Sequence, residues 1–366
     1  MEITPKSMPE RLVSLDAFRG AVIALMVLVN TPGNGEHVYG PLRHAEWDGW
    51  TITDVVFPSF VWIVGVAITL SLGKRMAAGA GRMQLMQGVA RRAGIVYLLG
   101  LLIYLFPEFD FPHMRVLGVL QRIAICYLIA SAIYLTARLR GRLIWIAGLL
   151  SGYWLIMMFA PVPDYGAGHL DVERNFAHYV DRIVLGAHNY AHTKTWDPEG
   201  IVSTLPAIAT ALFGVLAGEI VALRNEVSKR ALWLFAAGIV LMLSGTICDQ
   251  WLPINKKLWT SSFTLFMAGL DFIVFSAFLI AADGMGYKRY FQPFVIMGMN
   301  AISVYMASEI LDTLLSMMEV RQWIYANVFL PVVSPVNASL LFAVSYVLSM
   351  FAIAYMMYRR RWFLRV

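Results

Sequence analysis

Apolar runs long enough to cross a bilayer recur ten times along this chain, and that repetition constrains its fold more than any other feature. A span needs about 20 mostly apolar residues, and only a helix can satisfy its own backbone where there is no water. Such runs occupy residues 14–32, 51–72, 90–106, 116–136, 142–160, 201–223, 231–248, 259–282, 291–312 and 336–358. Composition agrees, with 59% of 366 residues hydrophobic and 14% charged, against about a quarter charged in a soluble domain. The expectation is an all-α polytopic bundle of ten transmembrane helices, forming one membrane domain over residues 1–366. The first run leads into a polar loop and further runs rather than a cleavage site and a soluble body, so no cleavable signal peptide is expected. Cys126 and Cys248 fall at different depths, and no disulfide is expected.

Lysines and arginines orient such a bundle, and with ten spans both chain ends share a side. That side carries Lys6, Arg11, Lys74, Arg75, Arg82, Arg91, Arg92, Arg138, Arg140, Arg142, Arg224, Lys229, Arg230, Lys288, Arg289, Arg359, Arg360, Arg361 and Arg365. The other carries Arg43, Arg115, Arg174, Arg182, Lys194, Lys256, Lys257 and Arg321. Nineteen against eight puts both termini in the cytoplasm, and it explains the net charge of +6 without nucleic acid. All seven histidines then fall on the outer face. The outer loops 33–50 and 161–200 are longer, aromatic and titratable, as functional loops tend to be.

The join Arg43–Pro58, RHAEWDGWTITDVVFP, gathers the most chemistry. A neutral imidazole at His44 is a natural general base, and Asn30, closing the first run, could donate to a developing oxyanion. The competing reading is an interfacial belt, with Trp47 and Trp50 at headgroup level and His44 merely solvated. Asp54 lies one turn inside the second run, where an acid needs a partner. Arg122 starts from the same side at about 9 Å depth by helical rise, so an Asp54–Arg122 pair is expected, functional or simply structural. At the inner face Asp16 and Arg19 share a helix side. Arg19, with Arg91 and Arg92 at the start of the third run, could hold an anionic ligand or snorkel to lipid headgroups. Asp271, Asn300, Glu309 and Asp312 suggest a polar route through the bundle, although interhelical hydrogen bonding also accounts for Asn300. Asp197 and Glu199, beside Trp196, could bind a sugar or an amine. They suit a helix start equally well, where acids contribute about 0.3–1 kcal/mol and proline is common. There is no glycine-rich phosphate loop, no metal-ligand spacing and no Gly-x-Ser-x-Gly elbow, so neither a metal nor nucleotide-driven pumping is expected.

The stretches SLDAFRG, HAEWDGWTITDVVFPSFVWIVG, RVLGVLQRIAICY, PVPDYGAGHL, DPEGIVSTLPAIATALFGVLAG, PINKKLWTSSF and GMNAISVYMASE resemble the heparan-α-glucosaminide N-acetyltransferase family, including its bacterial members associated with N-acetylglucosamine utilisation. The resemblance follows nearly the whole chain in order. It implies a transmembrane N-acetyltransferase that uses acetyl-CoA from the cytoplasmic side and acetylates the amino group of a glucosamine-type sugar on the far side. It implies that His44, in the setting His-Ala-x-Trp-x-Gly, and Asn30 are catalytic, with Asp54 in support. His44 would either deprotonate the amine or first take up the acetyl group, and both routes stay open. Beside it, Arg19, Arg91, Arg92, Arg122 and Asn300 become candidates for holding acetyl-CoA, and Trp47, Trp50, Asp197 and Glu199 for holding the sugar. The lysosomal member carries a luminal domain and one more span before this core, whereas here the first run opens at residue 14. The expected setting is a bacterial inner membrane, among lipid, as the homodimer the family implies. The rival reading is an amino-sugar or oligosaccharide transporter, which polar spans and an aromatic vestibule also suit. The lack of internal repeats counts against it.

Overall fold

A computed structural model describes residues 12–364. Lys6, Arg11 and Arg365, counted above for orientation, lie outside the described residues. The helices are α1 (Val13–Asn30), α2 (Ile52–Ala77), α3 (Arg82–Leu105), α4 (Val119–Thr136), α5 (Leu139–Phe159), α6 (Phe176–Val184), α7 (Thr204–Ala222), α8 (Val227–Cys248), α9 (Ser261–Phe278), α10 (Gln292–Met299), α11 (Ala301–Met317), α12 (Val320–Ile324) and α13 (Pro335–Arg359). A π-helical turn, Leu279–Gly284, prolongs α9. No β-strand occurs among the described residues, and the protein is an all-α polytopic bundle.

Nine of these helices are long and apolar enough to span a bilayer: α1 to α5, α7, α8, α9 with its π turn, and α13. The tenth expected span is not one straight helix. α10 and α11 meet at 78°, because Asn300 between them leaves the helical region at φ −122° and ψ 31°. The third span also starts earlier than expected. Leu85 and Val89, four residues apart, bury a stripe ahead of the continuous apolar run and extend the helix to Arg82. Arg91 and Arg92 therefore sit in the third turn of α3 rather than at its start. The short outer helices α6 and α12 were not expected from the apolar pattern.

Small residues let the central helices approach closely. A Cβ at Gly65 of α2 would overlap the carbonyl oxygen of Ala211 in α7, and one at Gly214 would overlap that of Trp62. Gly20 of α1 and Gly298 of α10 bring those two helices together in the same way. Trp62 fills the centre, edge-on to Phe18, Phe272 and Phe275 at 6.1, 5.5 and 5.4 Å. Polar ties secure the inner end. The Asp283 carboxylate accepts from the first amides of α1, Val13 N at 3.3 Å and Ser14 N at 3.1 Å, groups no helix can satisfy by itself. Arg142 of α5 pairs with Glu219 of α7.

Three outer loops knit into a cap. Gly49 N donates to Ile254 O at 2.7 Å, Asn255 Nδ2 to Asp48 Oδ1 at 3.2 Å, and Lys257 Nζ to Glu46 O at 2.5 Å. The Trp47 indole N–H reaches Leu170 O at 3.1 Å. Loop 33–50 is thus pinned to both 161–200 and 249–260, directly above the start of α2.

Candidate active site

Asp54 occupies the first turn of α2, where a helix N-terminus favours an anion. Its Oδ2 accepts from Thr51 N at 3.0 Å, Thr51 Oγ1 at 3.1 Å and Ala45 N at 3.0 Å. Its Oδ1 faces His44 Nδ1 at 2.7 Å and Lys256 Nζ at 3.4 Å. The carboxylate is therefore fully engaged, and its side chain is 2% exposed against 52% for His44. This network assigns the imidazole proton to Nδ1, donating to Asp54, and leaves the Nε2 lone pair uncommitted. A histidine that is fixed at one nitrogen and open at the other is the geometry of a general base.

The expected Asp54–Arg122 pair does not form. Arg122 is fully buried in α4, but it donates from Nη2 to Gly200 O at 3.0 Å and to Ser203 Oγ, with its guanidinium 5.0 Å from the Trp259 ring. The start of α7 therefore takes the arginine, and His44 and Lys256 take the aspartate. Lys256 was not singled out from the sequence. Its signal was present, since Lys256 and Lys257 are adjacent lysines on the face where cations are scarce. Burial pushes the Lys256 ammonium below its ordinary pKa, against the pull of Asp54 and Glu199.

Asp197 and Glu199 together clamp Arg115. Arg115 donates from Nε to Asp197 Oδ2 at 2.8 Å and from Nη2 to Asp197 Oδ1 at 2.6 Å, and Nη2 also contacts Glu199. The guanidinium lies between Tyr104 and Tyr190, 5.0 and 4.4 Å from their ring centres. Burial alone would raise the Glu199 carboxyl, but the Arg115 and Arg122 guanidiniums outweigh it and hold the pKa below the usual value. Trp47 is built into the cap, edge-on to His178 at 5.7 Å and to Trp196 at 6.2 Å, while those two rings stack at 4.1 Å. Trp50 is exposed on the outer edge of α9, against Phe266 at 5.2 Å. Asn30 is the last residue of α1 and is exposed at the outer end.

Two buried groups of α6 sit behind this wall. Burial pushes His178 down to about 4, and its Nδ1 meets Val172 O at 2.6 Å. Burial pushes Asp181 up to about 6, although it accepts from Ile201 N at 3.0 Å and Asp197 N at 3.3 Å.

A cavity of about 620 Å³ lies within the bundle, lined by residues of α1, α2, α3, α4, α10 and α11, with Phe363 and Leu364 at its inner end. Along α2 its lining runs from Leu72 to Phe60, about 18 Å of helical rise, and Asp54 stands roughly 9 Å further along the same axis. Arg19 and Arg92 line it. Arg19 Nη1 donates to Asp16 Oδ1 at 3.3 Å and Gly298 O at 3.4 Å, and Arg92 rests 5.6 Å from the Tyr127 ring centre. Arg91 and Arg122 are not part of the lining. Asn300 is buried between the lining residues Met299 and Ala301, and neither its amide nitrogen nor its oxygen has a hydrogen-bond partner.

Fold and site together define a polytopic helical membrane protein with a histidine–carboxylate pair at its outer end, about 9 Å of helical rise along α2 beyond the lining of an internal cavity. A family model described as heparan-alpha-glucosaminide N-acetyltransferase, catalytic, matches residues 11–231, more than half of the chain, and the chain belongs to that family. It is 29% identical over 360 residues to the heparan-alpha-glucosaminide N-acetyltransferase of Homo sapiens, covering 84% of this chain and 54% of that protein. To the protein of the same name from Mus musculus it is 28% identical over 363 residues, covering 84% and 55%. The chain spans about half the length of the curated relatives it matches. Asn30, His44 and Asp54 fall inside the matched segment, and Lys256 beyond it.

Proposed function

We propose that the protein moves an acetyl group from cytoplasmic acetyl-CoA to the amino group of a glucosamine-type sugar at the outer face of a bacterial inner membrane. The observation that carries this reading is the His44–Asp54 pair, in line along α2 with the cavity, in a chain of this family. Family membership favours transfer over the transporter alternative.

The cavity residues fit such a donor. Arg19 and Arg92 offer guanidiniums for its phosphates. The apolar walls suit its thin arm, and the unpartnered Asn300 amide supplies a donor and an acceptor for that arm's own amides. Once bound, acetyl-CoA brings an activated acetyl thioester. The protein's part is placement and proton handling. His44 Nε2 takes the proton of the amine as its nitrogen bonds to the acetyl carbon, and returns it to the CoA sulfur as the C–S bond breaks, while Asp54 holds the tautomer and steadies the charged ring. The Asn30 amide donates to the oxygen on which negative charge develops. Bringing both reactants to one point removes a large share of the entropic barrier. On the acceptor side we assign the sugar to the exposed Trp50, with Trp47, Asp197 and the Arg115-bound Glu199 in the wall behind it.

The test uses purified protein in detergent or liposomes, given acetyl-CoA and glucosamine and followed for free CoA thiol and N-acetyl product. The native protein should turn over, and His44→Ala should fall by at least about 100-fold, the lower end of a general-base contribution. Sugar uptake into proteoliposomes with no N-acetyl product from any amino sugar would overturn this reading.

A further inference from the structure

We propose that Lys256 is a positioning residue of this site: delivered by the loop between α8 and α9, its ammonium locks the Asp54 carboxylate and drives an accepted proton off His44. This deepens the reading above and rests on it for the reaction, though not for the proton behaviour of His44.

The argument begins with one oxygen and two donors. Asp54 Oδ1 receives the His44 Nδ1 proton at 2.7 Å and pairs with Lys256 Nζ at 3.4 Å, while Nζ lies 3.2 Å from Nδ1. Nδ1 already carries a proton, so it cannot also accept one from the ammonium. The short separation is therefore two positive edges held together by a shared carboxylate. With a neutral ring the three groups sum to zero charge. When Nε2 takes a proton they sum to +1 in a site where Asp54 is buried and Lys256 is 19% exposed, and like charges at this range repel. Asp54 alone would stabilise a long-lived imidazolium, and Lys256 offsets that pull. The proton is held briefly and passed to the departing thiolate sulfur of CoA, as turnover requires.

The placement of Lys256 is built into the cap. On either side of it, the Asn255 side chain is tied to Asp48 and Lys257 to the Glu46 carbonyl, and Gly49 N anchors on Ile254 O. The charged groups acting on Lys256 are Asp54 of α2, Glu199 ahead of α7 and Lys257 of its own loop. Arg43, beside His44 in sequence, is turned away onto the carbonyls of Val38 and Glu36.

Lys256→Met and Lys256→Arg test this. Removing the cation lets His44 keep its proton to higher pH, so the free base appears later as pH rises. In the Met variant the acid limb of the pH–kcat/KM profile should move up by about one unit, a tenfold loss on the acid side. Arg should restore the native limb. The second readout needs no turnover: the rate at which diethyl pyrocarbonate acylates His44, followed by peptide mass, rises with the unprotonated imidazole and should show the same displacement. Should the Met variant not fold, Lys256→Gln takes its place. A folded Met or Gln variant whose acylation profile coincides with the native one overturns the proposal. Absence of acetyl transfer by the native protein, with the acylation profile displaced as expected, overturns the function instead and leaves the role of Lys256 standing.

Discussion

Replacing Asp54 with asparagine should invert the tautomer of His44, because the surroundings of Asp54 dictate how an amide would sit. Three donors converge on Oδ2: Ala45 N, Thr51 N and Thr51 Oγ1. An NH2 group placed there would face two backbone N–H groups and leave both without an acceptor, at about 1–3 kcal/mol each. The asparagine oxygen must therefore take that position, and its NH2 must face His44 and Lys256. Nδ1 then has to accept, and the ring proton moves to Nε2, the atom needed as base. The imidazolium also loses its counter-charge. A general base contributes about 10²–10⁴ in rate, or roughly 2.7–5.4 kcal/mol at 1.36 kcal/mol per decade. We expect kcat to fall by at least about 100-fold, with KM for acetyl-CoA and amino sugar changed only a few-fold. Steady-state CoA release over a range of both substrates measures this, and the unchanged shape of the side chain keeps the fold as control. A variant retaining more than about a tenth of native kcat would refute the assignment of Nε2 as base.

Other expectations are as direct. Arg92→Gln, at the cavity wall, should raise KM for acetyl-CoA by about tenfold, the cost of one charge-assisted contact to phosphate, and leave kcat within a few-fold; KM measurements against both substrates decide it. Gly214→Val should place a side chain against the Trp62 carbonyl and part α2 from α7, seen as loss of the folded protein in detergent on size exclusion. In α6, His178 is depressed from 6.5 to about 4, so its stabilisation is present above pH 6.5 and lost as pH falls toward 4, about 3 kcal/mol in all. Asp181 is raised from 3.8 to about 6, so its stabilisation is present below 3.8 and lost as pH rises through 6, which opposes it. His178→Asn should leave only the Asp181 effect, and amide-exchange protection of residues 176–184, corrected for intrinsic rates, should then increase as pH falls from 6 to 4.

The spans were legible because the bilayer fixes how long an apolar helix must be, and Val13–Asn30 and Leu139–Phe159 lie within three residues of the expected runs. The bend at Asn300 was not, since hydropathy continues unbroken through it and only the backbone turns. His44 and Asp54 were legible because they lie ten residues apart in one short join. The partner of Asp54 was not. Depth in the membrane can be read from distance along a run, and it matched Arg122 to Asp54. Which side of α4 the arginine leaves from depends on how the helices are rotated, and that is set by packing. Lys256 stands 212 positions from His44, and its approach depends on the register between two loops, which no local pattern encodes. Asp197 and Glu199 were read as a sugar site or a helix start, whereas the structure gives both to Arg115 from a loop between α3 and α4.

On the proposed reaction, the position of the dyad accounts for the length of the cavity. An ionised carboxylate in mid-span costs several kcal/mol. In the first turn of α2, Asp54 has a helix N-terminus beneath it, two backbone N–H groups and a hydroxyl on one oxygen, and two cation-capable donors on the other. That supply of donors exists only where loops fold back over a helix end, so an ionised partner for His44 is affordable at the outer face and not at the centre. The cationic groups suited to an anionic donor, Arg19 and Arg92, belong to the inner half for the charge-bias reason that orients the whole chain. On the proposed reaction, base and phosphate sites are thus held apart by the membrane itself, and the reacting carbon must be carried from one to the other. On the same proposal the break at Asn300 would serve that passage: it interrupts the helix beside the cavity, covered by protein through the Gly298–Gly20 approach, the condition under which irregular backbone is tolerated at membrane depth. Straightening the bend would close Asn300 into a continuous α10–α11 helix and remove a polar foothold from the middle of an otherwise apolar route.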